Sequence, residues 1–358
     1  MLNSPPSLHL PSGSTLVEDV DEEIFLLYTR KQQLAQQRAG AAAPSSSGLG
    51  SHSDKEGVLH LSLPISNPWT TSNGAEAGRG KKRAPVGGSR KGKEKEDMTV
   101  EVELHQALDA LRHRKGDTGS VLWRVSLHLA TYLLTQHRFP SPSLPPVLPS
   151  LSSSSILELG SGTGFLGIAL RSIFSSYVST STSSSSSPAR PSWTFTDQLA
   201  NLPLVVRNLR ANGIDPSAPA VGVEELDWLA ESALWEKGQR SAYSPSSARG
   251  REGTEEKRPP DLILACDCIY NPSLSAPLAR TIKRHAGRET VVLVASELRD
   301  EDALEAFLRE WVDGEEGEGW RVVRLGWDDE KETKVAGELA GGQYVVWVGW
   351  RVEAGEEK

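Results

Sequence analysis

ILELGSGTGFLGIAL, residues 156–170, decides how this chain is read. A short apolar strand (156–159) runs straight into Gly160, Gly162 and Gly164, and a helical apolar pattern starts behind them (163–173). Glycines let a backbone turn tightly and approach a ligand closely. The helix N-terminus behind them favours negative charge. A dinucleotide fingerprint would need Gly-x-Gly-x-x-Gly. Phe165 stands where its third glycine belongs, so that fingerprint is incomplete. Glu158 adds a carboxylate just before the turn. It would repel a pyrophosphate and accept the ammonium and sulfonium of S-adenosylmethionine.

Outward from this stretch, strands and helices alternate. Strands are expected at 193–196, 220–226, 261–266, 290–296, 321–327 and 344–350, and helices at 199–213, 272–285 and 301–312. Such alternation predicts an α/β fold with a mostly parallel sheet. DLILAC and TVVLVAS are nearly all apolar, as parallel strands buried on both faces should be. The last two strands are expected to pair antiparallel. Upstream, 14–30 reads as a capped helix, 58–65 and 98–108 as a hairpin, and 119–134 as a helix. The domain reading is an N-terminal extension, 1–97, and a main domain, 98–353, with disordered inserts near 174–191 and 238–259. The basic run RGKKRAPVGGSRKGK, within 79–95, reads as a solvated loop, a nuclear localisation signal or a polyanion-binding arm.

Bulk numbers narrow the classes. The chain has 358 residues and a net charge of −8, so no overall basic field exists for gripping duplex nucleic acid. A hydrophobic fraction of 37% fits one ordinary core diluted by polar segments. The two cysteines, Cys266 and Cys268, cannot build a disulfide framework or a four-ligand zinc site, and no metal is expected. They read as reduced thiols packed in a strand. No apolar run is long enough to span a bilayer, and the start, MLNSPP, lacks the layout of a secretory signal. A monomer is expected in the cytoplasm, with the nucleus left open by the basic run.

Four places carry candidate chemistry. The first is the Glu158–glycine turn. Asp197, closing the second core strand, fits a ribose-binding acid or a helix N-cap. In LDWL, Asp227 could take an adenine amino group and Trp228 stack on the ring, or Trp228 could be ordinary core. In ACDCIYN, after the fourth core strand, Asp267 could orient an amine and the Tyr270 ring accept a methylated cation. Asp267 could also merely cap the next turn. Cys266 beside it joins the cofactor-facing set.

Taken in order, GSVLWRVSLHLATYLL, the glycine stretch, TDQ, NLRANG, LDW, CDCIYN and ASELRD resemble the lysine methyltransferase family of the METTL-twenty-one group, most of all its fungal ribosomal branch. The resemblance covers roughly 14–30, 58–70 and 98–353. It implies a Rossmann-like, seven-strand class I methyltransferase fold using S-adenosyl-L-methionine. It also implies that Trp123, Gly160, Asp197 and Trp228 contact the cofactor, and that Asp267 and Tyr270 form the family's Asp-x-x-Tyr motif near a target lysine. A protein substrate follows, a large-subunit ribosomal protein in that branch. Arg124 departs from the Asp or Pro that many members carry after the tryptophan. A small-molecule or nucleic-acid methyltransferase, and a non-catalytic cofactor-binding adaptor, are the other readings.

Overall fold

A computed structural model describes residues 8–38, 50–53, 55–69, 97–109, 119–141, 144–148, 154–174, 192–243, 258–312 and 319–352. The basic run at 79–93 lies outside these residues, as do 175–191 and 244–257 of the two expected inserts.

The strands of the main sheet are β1 (Thr15–Leu16), β4 (Ser155–Leu159), β5 (Ser192–Asp197), β6 (Val221–Glu225), β7 (Leu262–Cys266), β8 (Val291–Glu297), β9 (Trp320–Arg324) and β10 (Tyr344–Arg351). Their order is β6-β5-β4-β7-β8-β10-β9-β1. The first five of that order run parallel, whereas β10 is antiparallel to both neighbours, β8 and β9. The expected mostly parallel sheet with an antiparallel last strand is therefore present. The two-residue β1 adds an eighth strand beside β9.

Helices cover both faces: α1 (Val20–Arg38), α2 (Arg124–Arg138), α3 (Phe165–Phe174), α4 (Leu202–Ala211), α5 (Trp228–Glu236), α6 (Pro272–His285), α7 (Glu301–Val312) and α8 (Glu330–Ala336). Strand β8 explains the sandwich. Val291, Leu293 and Ala295 enter the core shared with α2, α3 and α4, while Val292 and Val294 enter the core shared with α1, α6 and α7. Period-two alternation with both faces apolar demands a cover on each side.

Several boundaries differ from the sequence reading. The segment read as one helix over 14–30 is β1 followed by α1, which starts after Asp19, whose Oδ1 accepts from Glu22 N at 2.9 Å, and runs on to Arg38. The helix expected from 119 starts at Arg124, because Gly119–Trp123 form a turn and an extended N-cap. LDWL follows β6 as expected, and Trp228 opens α5, a helix that the sequence reading did not include.

The hairpin of β2 (Val58–Ile65) and β3 (Met98–His105) is antiparallel, as expected. Its outer strand lies against α4 through two asparagines. Asn212 accepts from Glu103 N and donates to Glu103 O, at 3.1 and 2.7 Å. Asn208 does the same with His105, at 2.8 and 3.0 Å, and also donates to Thr163 O at 2.9 Å. Two side-chain amides one helical turn apart thus stand where a further strand would lie.

Candidate active site

The cleft opens where the C-terminal ends of β4, β5, β6 and β7 meet the start of α2. It is lined by Trp123, Ser126, Glu158, Gly160, Gly162, Asp197, Asn201, Asp227, Trp228, Leu229, Cys266, Asp267 and Tyr270, among others. Ten of the eleven residues singled out from sequence share this lining; Gly164 does not. Gly164 turns the chain behind the loop, where a Cβ would stand 3.2 Å from Val205.

Gly160 has φ +63°, and a Cβ there would lie 2.8 Å from Cys268 Sγ and 3.1 Å from the Trp228 ring. At Gly162, with φ +55°, it would lie 2.8 Å from the Gly119 carbonyl oxygen. The loop therefore leaves a bare backbone strip facing the Trp228 ring edge, a cradle that a side chain would fill.

Asp197 holds the loop in place. Its Oδ2 accepts from Gly162 N at 2.7 Å, and its Oδ1 accepts from Gln198 N at 2.7 Å and Asn201 Nδ2 at 2.9 Å. It is not the helix N-cap considered from sequence, because Asn201 occupies that position. Each carboxylate oxygen can still accept a ligand hydroxyl from the cleft side. Asp227 caps α5, accepting from Leu229 N at 2.9 Å through Oδ1.

Glu158 is buried, and its Oε2 accepts from the Trp193 indole at 2.7 Å. Burial pushes its carboxyl up to about 8, against the lowering pull of that bond. The thiols of Cys266 and Cys268 are raised by burial, so both are poor nucleophiles. Cys266 accepts from Ser126 Oγ at 3.4 Å. Cys268 donates to Leu159 O at 3.2 Å and lies past the end of β7, not within the strand as read from sequence.

Asp267 is the one non-glycine residue at positive φ among those described, at +58°. That conformation costs about 1–2 kcal/mol for a residue with a Cβ. The end of β8 holds it there. Asp267 N donates to Ala295 O at 2.7 Å, Glu297 N donates to its Oδ1 at 3.2 Å, and Arg299 Nη2 pairs with its Oδ2 at 2.6 Å. Burial raises the Asp267 carboxyl and the Arg299 charge pulls it back down. The Arg299 guanidinium also sits 4.4 Å from the centre of the Trp123 ring.

Sequence reasoning missed Gly119, Ser126, Asn201, Glu297 and Arg299. Of these, Arg299 was within reach, because ASELRD follows a strand end in an open α/β sheet.

Comparison with known proteins adds the following. Human N-acetylserotonin methyltransferase, solved with SAM, is 12% identical with a TM-score of 0.32, over 63% of this chain and 52% of that one. A TehB-like SAM-dependent methyltransferase from Corynebacterium glutamicum is 13% identical with a TM-score of 0.28, over 56% and 81%. Overlaps this small record a likeness only; the strand order itself carries the fold. A Schizosaccharomyces pombe protein named diaminohydroxyphosphoribosylamino-pyrimidine deaminase is 32% identical over 212 residues, 58% of this chain. The matched part is 41% of that protein, so the chain spans well under half of this relative. The lysine methyltransferase family profile matches residues 103–239 and 250–311. Because that match takes in more than half of the chain and every residue lining the cleft, the chain belongs to the lysine methyltransferase family, whose methyl donor is S-adenosyl-L-methionine.

Proposed function

We propose that this protein transfers a methyl group from S-adenosyl-L-methionine to the ε-amine of a lysine in another protein, and that its target is a large-subunit ribosomal protein. The observation that carries the reading is the meeting of two halves in one cleft: the bare glycine loop with Asp197 and Trp228, and the Asp267–Tyr270 segment. Family membership supports lysine as the acceptor. The resemblance to the fungal ribosomal branch supports the target.

Gly160 and Gly162 would let the cofactor lie against backbone, Asp197 would take ribose hydroxyls, and Trp228 with Asp227 would border the adenine. When bound, the cofactor supplies a methyl carbon on a positive sulfur. That carbon would pass to the amine lone pair, with the electron pair of the broken C–S bond left on sulfur. The protein's share is alignment and exclusion of water. The incoming ammonium must first lose its proton, which passes to solvent at the cleft mouth. Asp267 offers that amine a fixed negative neighbour. The Tyr270 ring can then accept the positive charge of a methylated product. Action as a monomer in the cytoplasm completes the proposal. No helix among the described residues is long and apolar enough to cross a membrane.

The test is transfer of tritiated methyl to ribosomes from cells lacking the protein, resolved on a denaturing gel. One labelled ribosomal-protein band, absent with Asp267→Ala, is expected. Label in RNA or in small molecules would overturn the lysine assignment. Label in a different soluble protein would keep the chemistry and remove the ribosome.

A further inference from the structure

We propose that Arg299 is the positioning residue of the acceptor half: a single guanidinium that fixes both the Asp267 carboxylate and the Trp123 ring on the wall of the cleft. The proposal rests on the methyl-transfer reading above.

Three surfaces form its socket. Nη2 meets Asp267 Oδ2 at 2.6 Å. Arg299 Cζ lies over the Trp123 ring, 4.4 Å from its centre. Behind both passes Gly50, with φ +93°, where a Cβ would stand 2.9 Å from Arg299 Nη1 and 2.3 Å from Glu297 Oε2. The Gly50 carbonyl in turn accepts from Arg124 N at 3.0 Å, so the wall is tied to the start of α2.

Asp267 and Trp123, which the Arg299 guanidinium meets, both line the cleft, while Arg299 is not among the lining residues. It therefore acts through them. The Asp267 side chain is fully buried by its surroundings and that of Arg299 partly buried, at 0% and 22% exposure. Water screens such a pair little. Asp267 also sits at positive φ, where its backbone does not hold it unaided, and its bonds described above come from the end of β8 and from Arg299 just beyond it. A planar fork serves this place in a way that an ammonium cannot: one edge pairs with a carboxylate while the face stacks on an indole. Other titratable groups acting on or near Asp267 are Glu297 at the end of β8, Tyr344 of β10, and the flanking Cys266 and Cys268. Two further cations stand one group away, Arg124 acting on Tyr344 and Lys31 on Glu297, while Arg299 is the cation whose charge lowers the Asp267 carboxyl.

The test titrates Asp267 by carbon-13 NMR of its carboxyl in the cofactor-free protein, assigned with Asp267→Asn. The same samples are used for kcat and KM with the protein substrate. Arg299→Gln is expected to move the Asp267 titration up by about one pH unit or more. It should lower kcat at least tenfold and leave cofactor affinity within about threefold. Arg299→Lys should return the titration most of the way without restoring kcat, because the stacked plane is gone. An unmoved titration in Arg299→Gln, or full kcat in either variant, overturns the proposal. If Arg299→Gln does not fold, Arg299→Lys decides alone, and unchanged kcat in it is the overturning result. A wild-type protein that transfers no methyl would sink the methyl-transfer reading instead, while the NMR titration would still report on the Arg299–Asp267 pairing.

Discussion

The two halves of the cleft are built by different means. The donor half is local: strand β4, three glycines and α3 follow one another in the chain, and Asp197 from the next strand fastens the loop by its N–H. The acceptor half is assembled from distance. Trp123, Asp267, Arg299 and Gly50 come from four separated segments and meet only when β7, β8 and the start of α2 are in place. Local construction tolerates change elsewhere in the molecule. Remote construction couples the site to the packing of the whole.

Substitutions can separate the halves. The largest effect is expected from Asp267→Ala, which should cut methyl transfer at least a hundredfold while cofactor binding, measured by calorimetry, stays within about threefold. Loss of both together would mean that the halves are not separable. Gly160→Ala should do the reverse. A Cβ at φ +63°, close to the Trp228 ring, adds about 1–2 kcal/mol of strain and should weaken cofactor binding roughly tenfold. Wild-type affinity in that variant would show that the loop shifts to admit side chains.

Asn208→Ala probes the link between loop and hairpin. It leaves His105 N, His105 O and Thr163 O short of a partner, and unfolding in urea should show a loss of roughly 2–4 kcal/mol. A loss under about 0.5 kcal/mol would mean that these groups find water.

The last effect concerns pH. Burial raises Glu158 to about 8 in the folded chain, above its ordinary value. Its contribution to stability is therefore complete below the ordinary carboxylate range and is lost as pH rises through about 8. Glu158→Gln keeps an acceptor for the Trp193 indole and cannot ionise. Between pH 5.5 and 8.5 the wild type should lose more stability than this variant. Parallel curves for the two proteins would disprove the buried-acid account.

What could be read from the chain follows the same division. The glycine stretch, Asp197 and the two-faced apolar strands announce themselves locally, because turn chemistry and periodicity are properties of neighbours in sequence. The hairpin of β2 and β3 was legible from alternation on both sides of a polar insert. Helix α5 was missed although Asp227 is a ready N-cap, because LDWL drew attention as a ligand motif. Asn201 carries no local pattern that distinguishes it, and Arg299 shows only its place just after a strand end. Their roles come from which strand ends the sheet order places side by side. Asp267 was singled out for its place after a strand, but its unusual φ and its ion pair exist only in the assembled protein.

The paired amides of Asn208 and Asn212 have a consequence beyond fastening a hairpin. A strand with open backbone donors and acceptors is a template on which another chain can grow. Here the Glu103 and His105 peptide groups along the outer side of β3 are already taken by side chains that cannot propagate a ladder. The arrangement works as a stopper, and its removal should be visible as concentration-dependent association before any loss of the fold.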